Sequence, residues 1–470
     1  MGKSGKLAKN TLLYAIGSLG SKVLTFLIVP LYTYYIDTNE MGVYDAIITT
    51  VSLCAPVIVL SIYEGVYRWS IQSKSDAGKY IRYGLKFEIR NLLIVSLLFG
   101  VVCFIFPIPY PVLAWLYAVQ TCLHSYFSRI TRALGNTKYF TISGIIYTTL
   151  FLLGNCLFII VLNWGIKSLL ISGIIAGFFV TVLLIILQRD AIFKSGKGKV
   201  SDEDKKGIIK YSVAITPNDI CWWIVGLSDR YALIWFISTS ANGIYSISQK
   251  FPTVIAMLTS IFYMAWQDHS LVNYEKEDKD RYYTEIFRFY SKFLLCGCLC
   301  LIPFTKFIVL WLMADSYKSA WMYVAPLYLG TVFSAFASFY GVGYLGTKKT
   351  NQALITTIIA AIVNVGINIV LMPLFPEAGI WIASLSTLIS YFVLYLVRVI
   401  QTRKFFTIKI EKKIMIPLAI ANVIYGVAVI YSNTAVDVIL FAIALTLSII
   451  LLKDYMMNFI KLAAGKIRRS

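Results

Sequence analysis

Leu170 to Gln188 reads LISGIIAGFFVTVLLIILQ, nineteen residues without a charged side chain. Wound as an α-helix, the run extends about 28 Å at 1.5 Å per residue, close to the roughly 30 Å hydrocarbon core of a bilayer. A second run, LLIVSLLFGVVCFIFP at Leu92–Pro107, has the same character. Such runs recur along the chain, and they fit membrane-spanning helices.

The composition agrees: 59% hydrophobic and 14% charged over 470 residues, with a mean hydropathy of +0.74. Soluble chains carry about 25% charged residues, so the deficit makes lipid the solvent. The expected class is an all-α integral membrane protein with about fourteen transmembrane helices. Spans are expected near 11–35, 43–66, 86–107, 111–134, 140–162, 166–188, 208–238, 243–266, 286–312, 320–344, 351–373, 378–400, 413–432 and 435–453.

A net charge of +20 raises nucleic acid as a partner, but the basic residues are scattered over short loops rather than gathered in one domain. No nucleic acid is expected. With the N-terminus placed in the cytoplasm, inside segments hold 37 of the 43 Lys and Arg, and outside loops keep Lys167 and Lys318. A miscounted span would scramble that split, which is the positive-inside pattern. Both termini are therefore expected inside. The first apolar segment follows MGKSGKLAKN without an A-x-A site and reads as an uncleaved span; Lys6 replaces the Ser or Thr of a myristoylation motif. The tail 454–470 alternates apolar and basic residues and is expected along the inner membrane surface.

All eight cysteines lie in apolar segments, so packing is expected of them, and neither disulfides nor a metal. The run CGCLC at Cys296–Cys300 lacks the paired knuckles and the nearby His of a zinc site.

The chain also repeats itself. IDTNEMGVY at Ile36–Tyr44 aligns with ISTSANGIY at Ile237–Tyr245, LGNTK at Leu134–Lys138 with LGTKK at Leu345–Lys349, and Gly165-Ile166 with Gly379-Ile380. Three correspondences in register define two six-span halves, 1–188 and 208–400, joined by a cytoplasmic linker at 189–207 and followed by two further helices over 401–453. An even number of spans per half gives parallel repeats, as in transporters whose halves rock about a central site.

The pattern G-S-x-x-S-K-x-L-x-F at Gly17–Phe26 with Pro30, the E-x-G-x-Y turn Glu40–Tyr44, the Asp229-Arg230 pair and the G-I-Y-S turn at Gly243 together resemble polysaccharide flippases of the Wzx type, in the multidrug/oligosaccharidyl-lipid/polysaccharide (MOP) exporter superfamily. The resemblance spans nearly the whole chain, with specificity in the order and spacing of short motifs. It implies a bacterial inner-membrane protein with two six-helix lobes around a polar cavity. That cavity would carry an undecaprenyl-diphosphate-linked oligosaccharide from the cytoplasmic to the outer leaflet. Polymerase and glycosyltransferases of the same pathway would be its partners, beside membrane lipids. Lipid II flippases and drug/cation antiporters share the scaffold and stand as alternatives.

Charges at bilayer depth are costly and normally face a partner, a bundle interior or a wet cavity. In GLSDRYALIWFIS, Gly226–Ser238, Asp229 and Arg230 point about 100° apart on a helix and pair poorly with each other. Arg230 is read two ways: a bidentate donor to a substrate diphosphate in the cavity, or half of an ion pair with a neighbouring helix. Asp229 leans to the ion pair. Lys22, near the middle of span 1, is expected to face the cavity. Lys250 and Lys306 lie nearer the outer interface, where a long side chain reaches water.

Glu64 and Arg68 stand at i,i+4, where a local salt bridge is the simplest account; the sequence around Glu64 also resembles the E-G-x-x of lipid II flippases, which implies an inner gate. Asp45 reads as interfacial, and His124 and His269 as packed or interfacial. Pro30, Pro56, Pro217 and Pro252 are expected to break helical bonding in spans 1, 2, 7 and 8.

No cofactor is expected; coupling to H+, Na+ or the membrane potential is left open. A membrane polymerase or ligase would need a large outside loop and a catalytic cluster. The outside loops are about six to ten residues, ordinary connector lengths, and no H-E-x-x-H, Ser/His/Asp set or phosphate-cradling loop occurs. A transporter, not an enzyme, is expected.

Overall fold

The computed structural model describes residues 28–196, 198–272, 278–347 and 350–467. Every regular element among them is a helix. Packing divides the chain into two compact units, Met1–Tyr231 and Ala232–Ser470.

In the first unit, α1 (Val29–Tyr35) starts with Pro30 in its first turn, where a missing N–H costs nothing. Asp37 caps α2 (Thr38–Ile58), accepting from the Glu40 amide at 2.8 Å. Pro56 weakens the end of α2, and the Ser61 amide reaches back to the Pro56 carbonyl at 2.8 Å. Leu60 and Ser61 then take left-handed backbone angles, φ 52° and 46°, before α3 (Ile62–Gln72) resumes. The second expected span, 43–66, is thus two helices with a hinge between them.

The first unit continues with α4 (Ala77–Ile105), α5 (Pro111–Ala133), α6 (Thr137–Asn155) with a π-helical extension Cys156–Val161, α7 (Ile166–Leu187) and the short α8 (Arg189–Phe193). Ser201 caps α9 (Asp202–Leu227), accepting from the Asp204 amide at 3.1 Å, and three acids in the first turn suit the helix dipole. Lys205 donates to Asp202 at 2.8 Å and holds that exposed carboxyl below its ordinary range.

Pro217 is absorbed within α9, whereas the chain is interrupted at Ser228, and α10 (Asp229–Phe236) starts there. The adjacent charges of GLSDRYALIWFIS therefore open a new helix.

The second unit holds α11 (Thr239–Ser248), α12 (Pro252–Val272), α13 (Lys279–Leu312), α14 (Val324–Gly346), α15 (Thr350–Leu374), α16 (Gly379–Thr402), α17 (Lys412–Tyr431) and α18 (Thr434–Ile467). Pro252 opens α12 after a turn at 249–251, so the eighth expected span is divided as well. No break separates 434–453 from the following residues: α18 runs on to Ile467 as one helix, without the boundary expected at 454.

Among the described residues, ten helical segments are long and apolar enough to cross a membrane, and the chain is a multi-pass membrane protein. Most of expected span 11–35 lies outside the described residues. The remaining three differ for visible reasons: α5 carries Gln120, Thr121, His124 and Ser125, and the seventh and eighth spans are interrupted.

Lipid gives helices no hydrophobic reason to associate, so close contact falls to small residues. A Cβ on Gly65 would stand 2.4 Å from Ser212 Oγ and 2.7 Å from the Ile208 carbonyl, so α9 lies directly on α3. That contact carries α9 into the first unit. Packing therefore divides the chain after Tyr231, later than the 189–207 linker that the repeat suggests. Gly177 on α7 lets Gln120 of α5 occupy the place of a side chain, with Nε2 1.7 Å from where a Cβ would be.

Candidate functional site

The hinge between α2 and α3 borders a cavity of about 340 Å³ in the first unit. Its polar wall comes from four helices: Ser52 on α2, Glu64 on α3, Thr121, Ser125 and Arg129 on α5, and Asp219 on α9. Arg129 NH2 meets Glu64 Oε1 at 2.6 Å, with the arginine side chain 37% and the glutamate 19% exposed. Across the hinge, Ser61 donates to Asp219 Oδ2 at 3.3 Å and accepts from Thr216 Oγ1 at 3.3 Å. Two carboxylates thus share the cavity with one guanidinium that water can reach.

The expected local pair of Glu64 with Arg68 is not formed. Glu64 turns toward α5, and Arg68 lies over the Tyr211 ring of α9, 4.5 Å from its centroid. An exposed i,i+4 pair stabilises by only about 0.3–0.5 kcal/mol, comparable to what a guanidinium gains over an aromatic face. The sequence spacing was a weak constraint.

Further along α2, Trp223 Nε1 donates to the Thr49 carbonyl at 3.0 Å and to Ser52 Oγ at 3.1 Å, and the Tyr231 hydroxyl meets Thr50 Oγ1 at 2.5 Å. Asp45, one turn nearer the start of α2, is buried rather than interfacial. Arg230 Nε donates to its Oδ2 at 2.6 Å, with both side chains below 10% exposure. The interruption at Ser228 explains the second bond of Arg230, whose NH1 donates to the Gly226 carbonyl at 3.3 Å near the end of α9. Of the two roles open to Arg230, the structure supplies the ion pair. Asp229 is wholly buried beside it, and Lys22 lies outside the described residues.

In the second unit, Lys250 sits half-buried in the turn between α11 and α12. Lys306 does not reach water. It is 6% exposed, pairs with Asp437 Oδ2 at 3.0 Å, and donates to the Val429 and Ser432 carbonyls at 2.7 Å each. One ammonium thereby fastens α13 to the turn joining α17 and α18. Asp437 belongs to the expected outside loop SNTAVD and gave no sign of pairing. Arg129 and Asp219 were also missed: Arg129 counted only toward loop charge, and Asp219, two residues after Pro217, is an acid within an apolar span, the signal that drew notice to Asp229.

No protein-family model and no curated protein matches the chain. Among solved structures it is similar to the lipid II flippase MurJ in an inward closed conformation, at 15% identity and a TM-score of 0.69, over 96% of this chain and 100% of that one. It is similar too to an inward-facing multidrug resistance MATE family transporter of the MOP superfamily, at 12% identity and a TM-score of 0.65, over 83% of this chain and 97% of that one. A MOP superfamily transporter from Pyrococcus furiosus, described as having a binding pocket of reverse polarity, aligns at 12% identity with a TM-score of 0.59, covering 84% of this chain and 96% of that one. At these identities the likeness establishes the fold alone: an all-helical architecture shared with these solved structures.

Proposed function

We propose that this protein is a flippase that carries an undecaprenyl-diphosphate-linked oligosaccharide from the inner to the outer leaflet of a bacterial cytoplasmic membrane by alternating access. The observation that carries this reading is the extent of the fold likeness. It takes in 96% of this chain and all of the lipid II flippase, against 83% and 84% for the two other transporters. The difference is about the size of the α17–α18 pair, whose faces expose Ile420, Val427, Ile439 and Ile450, as a lipid-facing surface would.

The cavity at the hinge suits a diphosphate through Arg129. A guanidinium binds phosphate oxygens bidentately, and Glu64 meets one nitrogen of the Arg129 fork. An arriving diphosphate displaces Glu64, removes one tie between α3 and α5, and so couples loading to movement about Leu60–Ser61. Lys22 remains a candidate second donor, from span 1. Polymerase and glycosyltransferases of the pathway would supply and consume the cargo.

Arg129→Ala tests this. Because the pair is partly exposed, its loss should cost no more than about 1 kcal/mol, leaving membrane abundance near normal, while glycan export in a complementation assay falls by about tenfold or more. Arg129→Lys should recover part of it. Normal export by Arg129→Ala would remove the diphosphate from this cavity. A second reading, export of cationic compounds, draws on the two carboxylates Glu64 and Asp219; drug sensitivity of a deletion strain with intact glycan export would select it.

The orientation has its own check. Reporter fusions at Asn163 and Asn433 are expected outside, and at Gly198 and Lys412 inside, with both termini cytoplasmic. Two consecutive reversals would overturn the span count.

A further inference from the structure

Glu88 lies on α4 with no accessible surface, and neither of its carboxyl oxygens has a hydrogen-bond partner among the described residues. The donors around it are engaged elsewhere. Asn91, one turn on, donates to the Ile58 carbonyl at 3.2 Å; Tyr126 donates to the Ile81 carbonyl at 2.5 Å; Cys122 Sγ lies 3.9 Å from the Ala55 carbonyl. Cys122 and Tyr126, both on α5, are the titratable groups that feel its charge. The packed core around them takes Val59, Ile62 and Val66 from the hinge region and Ile192 from α8, all apolar. A carboxylate ion there would have neither donor nor counter-charge, so the place accommodates the neutral acid.

We propose that Glu88 is a proton-binding site whose contact with water is controlled by the hinge between α2 and α3. Ala55, Val59 and Cys122 belong both to the wall of the polar cavity and to this packed core, and the first two precede the hinge. Leu60 and Ser61 hold backbone angles that few non-glycine residues adopt, which suits a joint with a second arrangement. Asn91 ties α4 to the last turn of α2 through Ile58, so movement at the hinge is felt beside Glu88.

When α3 swings, Val59 leaves Cys122 and cavity water reaches the carboxyl. The proton passes from Glu88 to that water, and the carboxylate left behind stays hydrated and keeps the wall apart. When the cavity faces the other side of the membrane, its water returns a proton to the carboxylate, and the wall closes over the neutral acid. The proton is thereby the coupling ion of the flippase proposed above; this link rests on that reading, while proton binding itself does not.

The experiment has two arms, both on the full chain. In purified protein reconstituted in lipid, infrared spectra of wild type should show the carbonyl stretch of a protonated carboxyl free of hydrogen bonds. That band should fade as pH is raised, and be missing from Glu88→Gln. Identical spectra would overturn the proposal. In cells, Glu88→Gln keeps shape and neutrality, so abundance should be normal. Glycan export should fall by about tenfold or more and lose its sensitivity to a protonophore. Glu88→Met, of similar volume, should behave alike and guards against a folding defect peculiar to one variant. Wild-type export and protonophore sensitivity in Glu88→Gln would overturn the coupling role of the proton even with the band present. If the band titrates but wild type exports no glycan, the proton site stands and the cargo assignment falls.

Discussion

Arg230→Ala is expected to deplete folded protein, not merely to slow transport. Removing the guanidinium leaves Asp45 buried at 4% exposure without the partner that stands 2.6 Å away, and such breakage costs about 3–5 kcal/mol. Total stabilities are about 5–15 kcal/mol, so most of the margin goes. Asp45→Ala should do the same damage from the other side. The double variant Asp45→Leu/Arg230→Met should recover much of the loss, because the two opposite charges of the pair leave together. Arg230→Lys should fall between, able to meet Asp45 but not the Gly226 carbonyl as well. Membrane abundance and thermal unfolding of the purified variants give the answer. Normal abundance of Arg230→Ala would show that Asp45 finds another partner and return Arg230 to the cavity.

Lys306→Ala carries a comparable expectation. It leaves Asp437 with the Ser432 hydroxyl but no counter-charge, and removes the donor to two carbonyls at the α17–α18 turn, for about 3–5 kcal/mol. Asp437→Asn should cost less, about 1–3 kcal/mol, since the ammonium keeps both carbonyls. The order Lys306→Ala, then Asp437→Asn, then Arg129→Ala in falling damage to stability follows from burial together with the bonds each change leaves unmade. Unfolding midpoints measured side by side would expose any inversion.

The class of fold was plain in the sequence because lipid writes a long, simple signature: runs such as Leu170–Gln188 have no other solvent. Helix interruptions were less plain. Neither Leu60 nor Ser61 nor Ser228 is a breaker by type, and the one local cue, Pro56, lies several residues before the hinge it causes. Proline was an unreliable cue even so, since Pro217 sits inside a continuous α9 while the nearby break falls at Ser228.

Partners were the least visible. Asp45 and Arg230 are 185 residues apart, and Ser61 and Asp219 158 apart. A single sequence shows that a buried charge needs company, not which helix provides it. The i,i+4 rule failed at Glu64 for the same reason: it weighs one helix, and Arg129 arrives from another.

The internal repeat starts anew at span 7, yet α9 packs with the helices that precede it. Duplication units and assembly units are therefore offset by one helix. During synthesis, the groove beside Gly65 stays vacant after the 189–207 connector has emerged, and it fills only when Ile208 to Asp219 have followed into the bilayer. A gene cut within that connector would separate the first unit from its own closing helix. Two polypeptides meant to reassemble should be parted beyond Tyr231, where the natural order of insertion has already completed one half.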